Sequence, residues 1–237
     1  MTTKTDLDLF KKQYCNNATN RKKMLVDFHV SVASFEEILV GHYINSYATG
    51  ERKIENSFVI LNVVDSINNK TYQPVFSETV AREMLKDTNI KFPRKITVYR
   101  SANNCDNNHK NHDTGLESPQ NKRTPANAQL LNLIELSRSL MLFKVNNPKL
   151  MDGVFKEIYD ELNKNPSCSP HPSKIKSINT ALGRYIESHG RANDFSNLNN
   201  FIDYINKTSG LKEIKQYDFS TLRYIFSNKY PTEKPYF

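Results

Sequence analysis

The chain has 237 residues, with 33 lysines and arginines against 25 aspartates and glutamates, so its formal net charge is +8 and its pI is about 9.2. No apolar run is long enough to span a membrane, and the first residues lack the apolar centre of a secretory signal. Three widely spaced cysteines favour free thiols over a disulfide framework. We therefore expect a cytoplasmic or otherwise intracellular protein, with a virion as a further location.

The positive charge is concentrated in particular segments. Residues 1–25 hold 6 basic and 2 acidic groups (+4), whereas residues 26–90 hold 5 and 9 (−4). Residues 91–123 hold 7 and 3 (+4), and residues 124–237 hold 15 and 11 (+4). Basic segments that flank an acidic body are typical of a protein that binds a polyanion.

The first elements in chain order are an arm and two structured segments. Residues 1–23 predict a basic, flexible arm with a short helix at most. The alternation of apolar and β-branched residues over 24–32 predicts a strand. Ser34 and Glu37 form a capping-box pattern, which predicts a helix that continues to about Tyr47.

The rest of the first half predicts a hairpin, a helix and a final strand, so that residues 24–100 form a small α+β lobe. Pro74 interrupts the second hairpin strand and requires an edge or a bulge there. The predicted elements are a strand at 57–64, its partner at 71–76, a helix from the cap Ser77 to Lys86, and a strand at 95–99.

The second half predicts helices only. Residues 101–124 contain a single large apolar residue and therefore predict a long loop or linker. The predicted helices cover 126–145, 147–163, 173–190, 196–207 and 219–228. The fold class is thus α+β, mainly α, with a small N-terminal α+β lobe, a five-helix lobe at 125–230 and a polar tail at 231–237.

Basic residues interleaved with aromatic ones are the strongest functional signal. They predict single-stranded RNA or DNA bound in a basic groove between the two lobes, in the manner of a nucleocapsid protein, with the arm available for self-association. Tyr99 and Tyr185 are the candidates for stacking on bases. The predicted contact residues are Arg21, Lys22, Lys23, Lys91, Arg94, Lys95, Tyr99, Arg100, Lys122, Arg123, Lys174, Lys176, Arg184, Tyr185 and Arg191.

An alternative is a phosphodiesterase or nuclease. The tripeptides His29-Val30-Ser31 and His112-Asp113-Thr114 resemble the paired His-x-Ser/Thr motifs of two-histidine phosphoesterases. The resemblance implies that His29 and His112 exchange protons with a phosphodiester, while Ser31 and Thr114 hold the phosphate. The other interpretation of His29 is a histidine of the protein core.

A metal site and a purely structural role complete the alternatives. Cys105, His109, His112, Cys168 and His171 are metal-ligand types, but their spacing is not that of a zinc module, so a polar loop is the favoured interpretation. No glycine-rich phosphate loop is present, and we expect no cofactor. A structural or protein-interaction subunit without nucleic acid is the third class of function.

Overall fold

The protein is described from a computed structural model, and it divides into two compact units. Unit 1 comprises Met1–Thr97 with Ser139–Leu150, and unit 2 comprises Val98–Arg138 with Met151–Phe237. The predicted class, α+β and mainly α, is confirmed, because helices predominate over antiparallel strands in the described residues. The structure describes residues 4–39, 42–48, 53–97, 99, 123–142, 151–190, 198–209, 214 and 217–237.

Unit 1 is built around one long central strand. The strand β4 pairs antiparallel with β1 on one side and with β5 and β6 in succession on the other, while β2 and β3 form a separate two-stranded sheet. The strands are β1 (His29–Glu37), β2 (Ile44–Asn45), β3 (Lys53–Ile54), β4 (Ser57–Asp65), β5 (Lys70–Tyr72) and β6 (Val75–Ser77). The helices of this unit are α1 (Lys4–Phe10), α2 (Ala18–Asp27) and α3 (Glu78–Leu85), with a π-helical turn at Lys11–Cys15 between α1 and α2.

The predicted hairpin is confirmed. Strand β4 is buried on both faces, since Val59 and Leu61 belong to one apolar cluster and Phe58 and Ile60 to the other. Pro74, which cannot donate a ladder hydrogen bond, lies in the gap between β5 and β6.

The first elements of the chain differ from the prediction. Instead of a flexible arm, residues 4–27 form helices whose inner side buries Phe10, Cys15 and Met24. The predicted strand at 24–32 is therefore wrong for its first five residues, of which four end α2 and Phe28 caps it. Burial of Met24 against the sheet outweighs the β propensity of the segment.

The predicted helix from Ser34 to Tyr47 is also wrong. Ser34 and Glu37 lie in β1, and the Ser34 hydroxyl donates to the Glu36 carboxylate within the strand instead of capping a helix. The register of β1 shifts between Val32 and Ser34, and this bulge turns Phe35 toward the same core as Val30.

The end of unit 1 is partly as predicted. Helix α3 begins after Ser77, whose hydroxyl accepts a hydrogen bond from the Val80 N–H at 3.4 Å, as the cap predicts. In place of the predicted strand at 95–99, the described residues of this segment form isolated bridges, from Ile96 to Glu36 and from Tyr99 to Ile214.

Unit 2 is helical in its described residues. The predicted inward side of α6, Ile175, Ile178, Leu182 and Ile186, is buried. Helix α5 begins six residues after Asn147, the residue that the sequence predicts as its cap. Most of the predicted linker lies outside the described residues. No helix in the described part of the chain is long and apolar enough to cross a membrane. The helices are α4 (Pro125–Leu142, whose last four residues belong to unit 1), α5 (Gly153–Lys164), α6 (Pro172–Gly190), α7 (Leu198–Ser209) and α8 (Ser220–Lys229).

Two buried amide side chains of α4 form hydrogen bonds with the ends of neighbouring helices. The Asn127 amide donates to the carbonyl oxygens of Leu162, Asn165 and Cys168 at 3.1–3.3 Å, and so satisfies carbonyls at and beyond the end of α5. Gln129 accepts a hydrogen bond from the Leu222 N–H in the first turn of α8 at 3.1 Å. These contacts explain why Asn127 and Gln129 occupy buried positions of α4.

The predicted polar tail is part of the core of unit 2. Phe237 is 4% exposed and packs edge-on against Phe219 and Phe226. The Asn179 side chain holds the tail by accepting from the Tyr236 N–H at 2.8 Å and donating to the Lys234 carbonyl at 2.9 Å.

Candidate nucleic-acid interface

The clearest concentration of cations in the structure lies at residues 11–23, which we call the basic turn. This segment contains five basic residues and no acidic residue. Lys11 and Lys12 belong to the π-helical turn, and Arg21, Lys22 and Lys23 belong to α2. The connection between them, residues 16–20, is polar and includes three asparagines.

Specific contacts hold the basic turn in place. Cys15 and Met24 are fully buried, which fixes the inner side of both helical segments. The Arg21 guanidinium donates to the Cys15 carbonyl oxygen at 3.1 Å and so joins α2 to the end of the π-helical turn. The Asn17 side chain accepts from the Asn20 N–H at 2.8 Å and caps α2.

The lysines of the basic turn face solvent to different degrees. Lys12, Lys22 and Lys23 are exposed, whereas the Lys11 ammonium lies 4.1 Å from the ring centre of Tyr47. Lys23 is 4.0 Å from Asp27, a distance at which an exposed pair contributes little. Three lysines of the basic turn are therefore exposed to solvent.

Three carboxylates of unit 1, those of Asp6, Asp27 and Asp65, have partners of their own. Asp27 accepts a hydrogen bond from the Tyr14 hydroxyl at 3.1 Å, and Asp6 pairs with Lys70 at 2.9 Å. Hydrogen bonds from the Asn68 side chain and backbone, and from the Ile67 N–H, lower the pKa of Asp65 below its ordinary value. These acidic groups are engaged with partners in unit 1, which limits how far they offset the exposed lysines.

Burial and ion pairing occupy other predicted contacts of unit 1. Lys95 pairs with Glu78 at 3.1 Å and lies 5.0 Å from the ring centre of Phe35. Lys91 and Arg94 are exposed. Tyr99 belongs to unit 2 and is 3% exposed, so the prediction that its ring stacks on a base is wrong for this conformation.

The predicted cations of unit 2 are also mostly engaged. The Arg123 guanidinium donates to Asn127, to the Leu162 carbonyl and to Asn163 at 2.6–2.9 Å. Lys174 pairs with Glu161, and Lys176 pairs with Glu233. Arg184 is exposed, and burial raises the pKa of the half-buried Tyr185. Arg100, Lys122 and Arg191 lie outside the described residues.

The histidine of the alternative catalytic site faces solvent. His29 is exposed at the start of β1, so the interpretation of a core histidine is wrong. Ser31 lies two residues further along the strand and hence on the same face of the sheet. The other half of the motif, His112 and Thr114, lies outside the described residues.

Comparisons with known proteins give no relative. Neither protein-family models, nor curated proteins, nor solved structures match this chain.

The candidate metal ligands do not form a site among the residues described. Cys168 is exposed, and the nearby His171 ring lies 2.7 Å from the Ser173 hydroxyl at the start of α6. No group of three or more metal-ligating side chains occurs in the described part of the chain. Cys105, His109 and His112 lie outside it.

Sequence reasoning missed two features of unit 1. The first is the folded state of the basic turn, for which Asn17, three residues before Asn20, is a helix-capping signal. The second is an open pocket lined by polar and aliphatic side chains, among them Glu37, His42, Tyr43 and Ser139. No sequence motif connects these residues, because the pocket joins distant parts of the chain.

Proposed function

We propose that the protein binds nucleic acid and that the basic turn contacts its phosphates. The observation that supports this function is the combination of five cations, no carboxylate and a folded backbone in residues 11–23. Cations held on a rigid element lose less conformational entropy on binding than cations on a flexible arm.

The position of the cations fits a phosphate chain. The first turn of α2 has backbone N–H groups without helical partners, and these groups favour an anion. Along the chain, Lys11 and Lys12 precede this turn and Lys22 and Lys23 follow it, and the Arg21–Cys15 hydrogen bond joins the two segments. Neutralising each phosphate releases counterions, so binding should weaken steeply with salt.

A charge-reversal experiment tests the proposal. The variant Lys22→Glu/Lys23→Glu is compared with Lys207→Glu/Lys229→Glu, which changes the net charge equally at exposed lysines of α7 and α8. Affinity for fluorescently labelled RNA and DNA oligonucleotides is measured by anisotropy between 50 and 200 mM salt. Circular dichroism checks that all the proteins are folded.

The proposal requires a specific pattern of losses. The variant of the basic turn should lose at least tenfold in affinity, and the slope of log K against log salt should fall by about 1.4–1.8, the value for two lost phosphate contacts. The control should change affinity by less than threefold. No measurable binding of the unaltered protein at 50 mM salt, or equal losses in both variants, would reject the basic turn as the site.

A phosphodiesterase is the second candidate, and the exposure of His29 favours it. An exposed imidazole with Ser31 on the same sheet face could exchange a proton with a bound phosphodiester. Linear RNA, DNA and cyclic dinucleotides are incubated with the protein and with His29→Ala. Cleavage that this substitution abolishes supports the enzyme, and cleavage that it leaves unchanged assigns the activity elsewhere.

A further inference from the structure

Building on the proposed function, we infer that the basic turn contacts only the phosphodiester backbone. The protein then binds duplex nucleic acid at least as tightly as single strands and does not distinguish base sequence. The inferred ligands therefore include duplexes, whereas the sequence predicts a single-stranded ligand.

Stacking on unpaired bases requires an exposed aromatic ring, and unit 1 offers none in its described residues. The two rings nearest in sequence to the lysines are already packed. Tyr14 lies edge-on to Phe28 at 4.9 Å, and its hydroxyl is bonded to Asp27. Tyr47 is half-buried beneath the Lys11 ammonium, and burial raises its pKa.

Reading of base edges is also restricted. Arginine and asparagine make the bidentate contacts that identify guanine and adenine. In the basic turn, Arg21 donates to the Cys15 carbonyl, Asn17 caps α2, and the Asn16 amide donates to the Lys12 carbonyl at 3.2 Å. The exposed cations are lysines, which act on phosphates as point charges.

A protein that contacts only the charges of nucleic acid binds more tightly to the form with the higher charge density. A duplex carries one charge per about 1.7 Å of axis, against one per about 3.4 Å for each of its strands. The exposed lysines Lys12, Lys22 and Lys23 contact whichever phosphates are within reach, so the ligand with more phosphates per length offers them more contacts. Charge density therefore favours the duplex.

The test compares four ligands of equal length: a 16-base-pair DNA duplex, the matching RNA duplex, and one single strand of each. Each is also prepared with a scrambled sequence, and affinities are measured by anisotropy at 100 mM salt. We expect at least one duplex to bind as tightly as its strand or more tightly, and scrambling to change affinity less than threefold. Lys22→Glu/Lys23→Glu should weaken the duplex and the strand alike.

A second variant tests for base stacking independently of whether the protein binds nucleic acid at the basic turn. Tyr224 of α8 is 71% exposed, the most exposed aromatic side chain among the described residues. Tyr224→Ala should leave all affinities within twofold. Both single strands bound more than threefold tighter than their duplexes, a sequence preference above threefold, or a loss of single-strand affinity above twofold in Tyr224→Ala would each overturn the inference while nucleic-acid binding stands. Absence of binding to every ligand would instead reject the proposed function.

Discussion

Replacing Gly183 with alanine tests how the C-terminal tail is packed on α6. A Cβ atom at position 183 would lie 2.5 Å from Cε2 and 2.8 Å from Cδ2 of the Tyr236 ring. Ordinary van der Waals contact begins at 3.4 Å, so the ring must withdraw by about 0.9 Å to accept the methyl group. The Tyr236 hydroxyl, which is bonded to Glu187, moves with the ring.

Two opposing effects set the magnitude. In the interior of a helix, alanine is favoured over glycine by about 1 kcal/mol. Overpacking costs about 1–3 kcal/mol where the surroundings are held in place. Asn179 fixes the tail backbone at Tyr236, so we expect Gly183→Ala to be neutral or to destabilise the protein by up to about 2 kcal/mol.

A double-mutant cycle isolates the contact. In a Tyr236→Ala background the clash is absent, so Gly183→Ala should raise the free energy of unfolding by about 1 kcal/mol. Urea denaturation of the four proteins, followed by circular dichroism, gives the coupling energy, which we expect to be about 1–3 kcal/mol. If Gly183→Ala stabilises both backgrounds equally, the tail does not pack on α6 as described.

Three further predictions concern stability and reactivity. Asn127→Ala removes one of the two donors to each of the Leu162, Asn165 and Cys168 carbonyl oxygens and should lower the free energy of unfolding by about 1–2 kcal/mol, whereas the exposed Asn228→Ala should change it by less than about 0.5 kcal/mol in the same urea titration. The exposed Cys168 should react with iodoacetamide in the native protein. Cys15 is fully buried, and burial raises the pKa of its thiol to about 12, so it should react only after unfolding. Peptide mass spectrometry that finds both cysteines labelled at the same rate would contradict this. The pKa of Asp65 is lowered in the folded state, so the ionised carboxylate stabilises the protein above its ordinary pKa of about 3.9, and this stabilisation is lost as the pH falls through the pKa of the folded state. The difference in unfolding free energy between wild type and Asp65→Asn should therefore shrink from pH 6 to pH 2. A difference that is constant with pH would refute the role of the ionised carboxylate.

Elements with local signals were predicted well. Helix α3 has the cap Ser77, and α6 has four isoleucines and leucines at helical spacing, so the sequence within each element was sufficient. Strand β4 was recognisable from its apolar run, because it is buried on both faces. These elements needed no knowledge of the rest of the fold.

Elements that depend on distant partners were not predictable. Residues 24–27 have β-branched neighbours but are helical because Met24 packs into the core under the sheet. Ser34 and Glu37 match a capping box, yet pairing with β4 makes them a strand. In β1 the spacing of the inward residues changes from two to three between Val32 and Phe35, which indicates a bulge only once the strand is known.

The candidate site shows the same division between local and distant partners. Lys95 and Lys176 are paired with carboxylates that lie 17 and 57 residues away, so no count of charge along the chain could have shown that they are engaged. Lys22 differs, because on a helix its neighbours are the residues three and four positions away, and all four of these are uncharged. For Lys22 the sequence alone therefore predicts an available positive charge, whereas Lys12 and Lys23 have Asp8 and Asp27 four residues away. The net charge of a chain does not show which cations are available for a ligand. The proposed function therefore rests on the basic turn and not on the net charge of +8.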